Sequence, residues 1–259
     1  MIHATALVDP RAKLHETVQM GPYSIVEGEV EIGEGTIIGP YVHITGKTEI
    51  GKNNQIHTGA VIGAPPQDQK YKEEKTRLLI GDNNVIREYA TFHRSNTIEE
   101  DTIVGTTNFF MAHSHVGHNA RIGNENVFAN GVLIGGHAKI ADKVFLSGNC
   151  AVHQFVKIGS LAMMQGNAAI SQDLPPYTMA YGVNKMCGLN IIGLRRAGFT
   201  AEQRQELQYH YKRIFMSGNN IGKASRDALG EAPGEKAKAL LEFIVQSKRG
   251  VCSHASRKH

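Results

Sequence analysis

Tryptophan is absent from this 259-residue chain, and cysteine is nearly so, with three residues (Cys150, Cys187, Cys252). An odd number of widely separated cysteines excludes a disulfide framework and offers no metal-like spacing, so free thiols in a reducing cytoplasm are expected. No apolar run approaches the roughly 20 residues of a membrane span. The start, Met1 to Pro10, has neither the basic nor the apolar region of a secretory leader. Arg-rich blocks and basic stretches interleaved with aromatics are also missing, which argues against a nucleic-acid partner. Charge is sparse at 20%, and the net +4 is unevenly placed. Residues 191–259 hold 13 Lys and Arg against 6 Asp and Glu, a net +7, which leaves −3 on residues 1–190. A basic end on a mildly acidic body suits an acidic partner.

What is abundant is a repeat. Stepping by six from Ile2 to Ile170 gives 29 positions, of which 27 are apolar; Asp68 and Glu74 are the exceptions. Glycine often follows the aliphatic, as at Gly33, Gly51, Gly117 and Gly135, and a small residue such as Ser24, Thr48, Ala90 or Ala138 stands two places before the next one. A period of six fits neither a helix nor a long alternating strand. It predicts a short strand followed by a sharp corner, with Gly or Asn taking the unusual dihedral there and the small residue fitting beside the inward aliphatic. Three hexads close an 18-residue triangular coil, and coils stack about 4.8 Å apart. The fold class is therefore an all-β solenoid, a parallel β-helix over residues 1–190, followed by an α-helical cap over 191–259. Three cap helices are expected, one opened by a Thr200/Gln203 capping box, a shorter one over 221–229 and a third from near Pro233. Because residues 62 and 80 lie 18 apart, the segment 64–79 reads as an outward loop replacing two faces of one coil.

Stacking turns the 13 histidines into geometry. Val116, Ile134 and Val152 are 18 apart, so His118, His137 and His153 gather near one corner, with His113 and His115 close by and His93 about one and a half coils earlier. Core positions are already taken by aliphatics, so these imidazoles face a site, where a neutral ring can accept a proton from a hydroxyl or amine. Flat-sided prisms of this kind suit a trimer with clefts between neighbours.

The stretches Pro66-Gln-Asp-Gln-Lys-Tyr71, Ile86–Arg94, His115-Val-Gly-His118, Gly135-Gly-His137, Ala151–Phe155, Gln172–Tyr177 and Gly193–Phe199 together resemble the UDP-N-acetylglucosamine O-acyltransferases that open lipid A biosynthesis in Gram-negative bacteria. The resemblance implies a left-handed coil, against the usual right-handed crossover. It also implies a cytoplasmic homotrimer that moves a 3-hydroxyacyl chain from acyl carrier protein to the 3-position of a UDP-sugar. No cofactor is implied beyond the carrier's phosphopantetheine, and no metal. His118 matches the general base, and the backbone N–H of Gly136 matches the oxyanion donor. Asp68 and Lys70 match a loop that enters a neighbour's cleft and contacts sugar or phosphates. His115, His137, His153 and Gln154 match the substrate groove, Asn190 and Arg196 the nucleotide end, and Gly166 and Ala169 the acyl-chain region. The basic cap would receive the acidic carrier protein. Asn119 stands where the family often has Asp after the base, which removes charge support from the imidazolium unless a backbone carbonyl holds the ring instead. A zinc enzyme using His113, His115 and His118, as in the γ-carbonic anhydrase type, is the main rival. Other rivals are a 2-N-acyltransferase, a coenzyme-A-dependent N-acetyltransferase and a non-catalytic scaffold.

Overall fold

The computed structural model describes residues 1–255; the last four residues of the expected 191–259 cap lie outside it. Strands of mostly two residues fall into three sheets of 9, 8 and 11 strands, and the chain visits them in rotation. Strand Ile25–Val26 lies in the first sheet, Glu31–Ile32 in the second and Ile37–Ile38 in the third; His43–Ile44 then returns to pair with Ile25–Val26 in parallel register 18 residues on. The frame aliphatics point inward and are buried from Met20 to Ile170 wherever they lie on a strand, and the small residues before them are buried too. At the level of the histidines the core is filled by Phe92, Phe110 and Phe128, whose rings lie 4.8 and 4.7 Å apart in sequence order.

The left-handed dihedral falls on Gly or Asn at many corners, as expected, three residues after the aliphatic, as at Gly35 (φ 69°), Asn53 (54°), Gly59 (71°) and Asn119 (57°), and also on His137 (56°); the glycine directly after the aliphatic takes it at Gly63 (79°) but not at Gly33 or Gly117. That glycine is required by proximity: a Cβ on Gly33 would come within 2.8 Å of the Gly51 carbonyl carbon one coil on, and one on Gly117 within 2.7 Å of the Gly136 nitrogen. Coils at parallel-strand spacing leave no room for a side chain there.

The 64–79 loop differs from expectation. Val61–Ala64 lies in the first sheet, and Arg77–Ile80 lies in the second, paired on both sides. No face is replaced; about twelve residues are inserted at one corner. A second, six-residue insertion follows one coil later at the same corner, between Thr91–His93 and Thr102–Val104. It carries Ile98 out to 68% exposure, so this frame position is not core.

Among the described residues four helices follow the coil, one more than expected: α1 (Ile191–Arg196), α2 (Ala201–Phe215), α3 (Ile221–Leu229) and α4 (Glu235–Gln246). The additional α1 exists because the Asn190 side chain caps it, accepting from the Gly193 N–H. The capping box at Thr200 and Gln203 forms as expected. The cap encloses its own core around Leu207, Tyr211, Leu240 and Ile244. The chain then returns, and Ser253–His254 pairs with Lys185–Leu189 at the end of the third sheet. Among the described residues no helix is long and apolar enough to cross a membrane.

Candidate active site

The corner between the first and second sheets carries the histidines. Val116 points into the core while His115, its neighbour on strand His115–Val116, points out. Gly117 permits the close approach to the next coil, and His118 then occupies the turn. On that next coil the same places are held by Gly135, Gly136 and His137. Backbone bonds from His137 N to His118 O (2.9 Å) and from Phe155 N to Gly136 O (3.0 Å) keep the corners in register. His118, Gly136 and Gln154 therefore form one column, and Asn119, His137 and Phe155 the other. The His137 ring stacks on Phe155 at 4.6 Å and meets His118 edge-on at 5.2 Å.

Hydrogen bonding selects the free nitrogen of His118. Its Nδ1 lies 2.9 Å from Asn119 Oδ1, and the Asn96 backbone N–H donates to that same oxygen at 3.0 Å. An amide N–H can only donate, so the atom it meets is the Asn119 carbonyl oxygen, and Nδ1 of His118 must carry the proton. Nε2 is left with its lone pair. The expected loss at Asn119 is thus partial: the carboxylate charge is gone, but the side chain, and not a backbone carbonyl, still holds the ring. Gly136 lies against Nε2, since a Cβ there would come within 2.8 Å of it. Among the described residues no acceptor meets the Gly136 N–H.

The first insertion supplies a carboxylate. Asp68 accepts from the Lys70 N–H at 2.9 Å and from Asn96 Nδ2 at 2.8 Å. These bonds, led by the Lys70 N–H and helped by nearby His118, hold its carboxyl below the usual range. Through Asn96 the loop tip is tied to its own chain's corner, with Asp68 near His118. The loop is held at its base as well: buried His93 donates from Nδ1 to the Pro65 carbonyl at 2.6 Å, and Arg94 reaches the Gly63 carbonyl at 2.9 Å and the Tyr71 hydroxyl at 3.2 Å. Lys70 itself is exposed.

His93 is a site residue that sequence reasoning misplaced. Its ring lies 5.1 Å from that of His115, because Phe92 and Val116 are paired neighbours one coil apart and not one and a half. Subtracting the six inserted residues from the 24 that separate Phe92 and Val116 leaves the 18 of one coil and would have found it. His115 meets the Thr91 hydroxyl through Nδ1 at 2.8 Å. Burial, with His93 and His118 alongside, pushes His115 down to about 4. Burial and then His118 lower His137, against the opposing pull of Glu100, and burial lowers His93. These rings stay neutral near pH 7 and surround His118 without competing for its proton.

From His115 an outward groove of about 680 Å³ runs up the first sheet, lined by Leu133, Ala151, Ala169, His153 and Val183. Ala169 is in it; Gly166 sits at the adjoining corner and does not line it. Gln154 is exposed, and its carbonyl accepts from Arg249 of the tail at 2.8 Å. Asn190 and Arg196 are not brought to His118. Asn190 spends its amide on capping α1 and on the Leu161 carbonyl (2.9 Å), at the corner between second and third sheets, and Arg196 is exposed on α1. His113, His115 and His118 do not converge as a metal triad would: the His113 ring stacks on Tyr89 at 5.4 Å, across the first sheet. Among the described residues no three His, Cys, Asp or Glu are grouped to hold a metal ion.

The coil carries the hexads of the bacterial hexapeptide-repeat transferases, whose model matches residues 29–64. The second-domain model of the UDP-N-acetylglucosamine O-acyltransferases matches residues 173–252. The acyl-(acyl carrier protein)–UDP-N-acetylglucosamine O-acyltransferase of Aquifex aeolicus is 54% identical over 98% of both chains, and that of Chlorobaculum parvum 50% identical over 96% of both. Among solved structures, the enzyme from Acinetobacter baumannii superposes with a TM-score of 0.92 at 40% identity, covering 96% of this chain and 98% of that one. The chain belongs to the UDP-N-acetylglucosamine O-acyltransferase family and is an acyltransferase.

Proposed function

We propose that the protein transfers a 3-hydroxyacyl chain from the phosphopantetheine of acyl carrier protein to the glucosamine 3-position, hydroxyl or amine, of a UDP-N-acetylglucosamine-type nucleotide. This is the first step of lipid A biosynthesis, placed in the cytoplasm of a Gram-negative-type bacterium. The observation that carries the reading is the His118 tautomer: Nδ1–H bound to Asn119 and Nε2 open beside Gly136. Nε2 takes the proton of the 3-substituent as it attacks the thioester carbonyl. The oxyanion of the tetrahedral intermediate lies at the Gly136 N–H. Collapse expels the pantetheine thiolate, which recovers the proton from the imidazolium, so no covalent enzyme intermediate is needed. Asp68 adds negative charge beside that imidazolium and, with Lys70, contacts the sugar or its phosphates. His115, His137, His153 and Gln154 line the path of the substrates.

The left-handed coil of residues 1–190 assembles as a homotrimer in this reading. Asn190 and Arg196 stand at a different edge from His118, which supports a threefold arrangement in which one copy's edge meets the next copy's imidazole corner. Arg196 then faces the phosphates, and the basic cap receives the acidic carrier. Acyl transfer from 3-hydroxyacyl carrier proteins to UDP-N-acetylglucosamine and its 3-amino form tests this. His118→Ala should lower the rate by about 10²–10⁴-fold, and equal rates would remove the assigned base.

A further inference from the structure

The 94–101 insertion contains one residue that touches both halves of the site. Asn96 donates its backbone N–H to Asn119 Oδ1 (3.0 Å) and its side-chain Nδ2 to Asp68 Oδ2 (2.8 Å). The side-chain assignment is forced, since a carboxylate facing an amide at that distance can only accept. Asn96 Oδ1 then points away and is buried without a partner. Leaving a buried carbonyl unpaired costs free energy, so the amide is held in this sense by what its nitrogen does. The insertion is anchored to the coil through the Ser95 N–H on the Arg77 carbonyl (3.1 Å), while Ser95 Oγ donates within the insertion to the Thr97 carbonyl (2.9 Å).

We infer that Asn96 is a positioning residue of the transfer: its backbone fixes which nitrogen of His118 is free, and its side chain fixes where the Asp68 carboxylate stands relative to that nitrogen. The inference rests on His118 as the base. With a neutral Asn119 behind the imidazole, Asn119 could turn either its oxygen or its NH₂ to Nδ1. The first leaves Nε2 as the acceptor and the second would leave it protonated. The Asn96 N–H excludes the second. Asp68, for its part, is on a twelve-residue loop, and the Asn96 amide ties its outer carboxylate oxygen to the corner that carries the base.

The test uses the full-length protein with Asn96→Ala, Asn96→Asp and the exchanged pair Asp68→Asn with Asn96→Asp. Loss of a hydrogen bond to a charged group predicts that Asn96→Ala raises KM for the sugar nucleotide by about tenfold, with the thermal midpoint unchanged. Asn96→Asp does worse, because two carboxylates then face each other, and the exchanged pair recovers part of that loss because an amide again meets a carboxylate. In ¹⁵N-histidine spectra above pH 8, the His118 signals, identified by their loss in His118→Gln, show a protonated Nδ1. Single variants within twofold of the parent, a loss that follows a fall in thermal midpoint and is not relieved by the exchange, or a protonated Nε2 would each overturn the inference. Full activity in His118→Ala would instead overturn the reading beneath it.

Discussion

Gly136 lies directly against the imidazole of His118, with Cε1 and Nε2 both 2.8 Å from where its Cβ would be. The residue has no left-handed dihedral, so alanine is tolerated by the backbone and only the ring must move. Gly136→Ala is expected to keep the thermal midpoint and lower kcat by about 10²-fold, since a displacement near 1 Å in a reacting group has that scale. Steady-state kinetics beside a melting curve checks this, and an unchanged kcat would separate position 136 from the base.

Asn119→Asp restores a charge behind the ring without changing its shape. A carboxylate favours the protonated imidazole, so a larger share of the base is blocked at low pH. The acidic limb of the kcat/KM profile should move to higher pH. A limb that stays in place would show that Asn119 does not touch the titrating group.

Stability should fall on mild acidification. His115 is held at about 4 by burial, against about 6.5 in the unfolded chain. Between those values the unfolded state binds a proton that the folded state refuses, so stability is full above pH 6.5 and declines towards pH 4. Thermal midpoints measured across this window should drop, and His115→Asn, which can keep a bond to Thr91, should flatten the decline.

The groove above His115 rises one coil at a time through Leu133, Ala151 and Ala169, a climb of about 14 Å at parallel-strand spacing. Small residues at its upper end leave space for a longer acyl chain. Ala169→Phe should reduce turnover of C14 and C12 hydroxyacyl carriers more than C10. In the parent protein, a preference for C10 would contradict this use of the groove.

The hexad frame made the coil legible because each buried aliphatic reports a face directly, and Val116, Ile134 and Val152 stack as their spacing requires. The frame failed where insertions have lengths divisible by six. Twelve residues before Arg77 and six before Thr102 keep the phase, so Ile98 looked like core and His93 looked displaced from His115. Periodicity counts residues and cannot see whether a hexad turns a corner or leaves the prism. His118, His137 and Gly136 were legible from spacing and resemblance together. Asn96 was not, because its role depends on a backbone N–H and on a loop tip folding back, and neither leaves a residue pattern.

The return of Ser253–His254 to Lys185–Leu189 has a consequence for how copies of this molecule meet one another. A coil with a bare final rung would present a row of unpaired amides matching the first rung of the next molecule, and head-to-tail growth would give filaments. Here the chain lays its own tail across that rung after an antiparallel hairpin has already broken the parallel pattern. At the end of the third sheet that rung is covered, and removing residues 253–259 should uncover it, which sedimentation of the truncated chain beside the parent should register as a larger pelleted fraction.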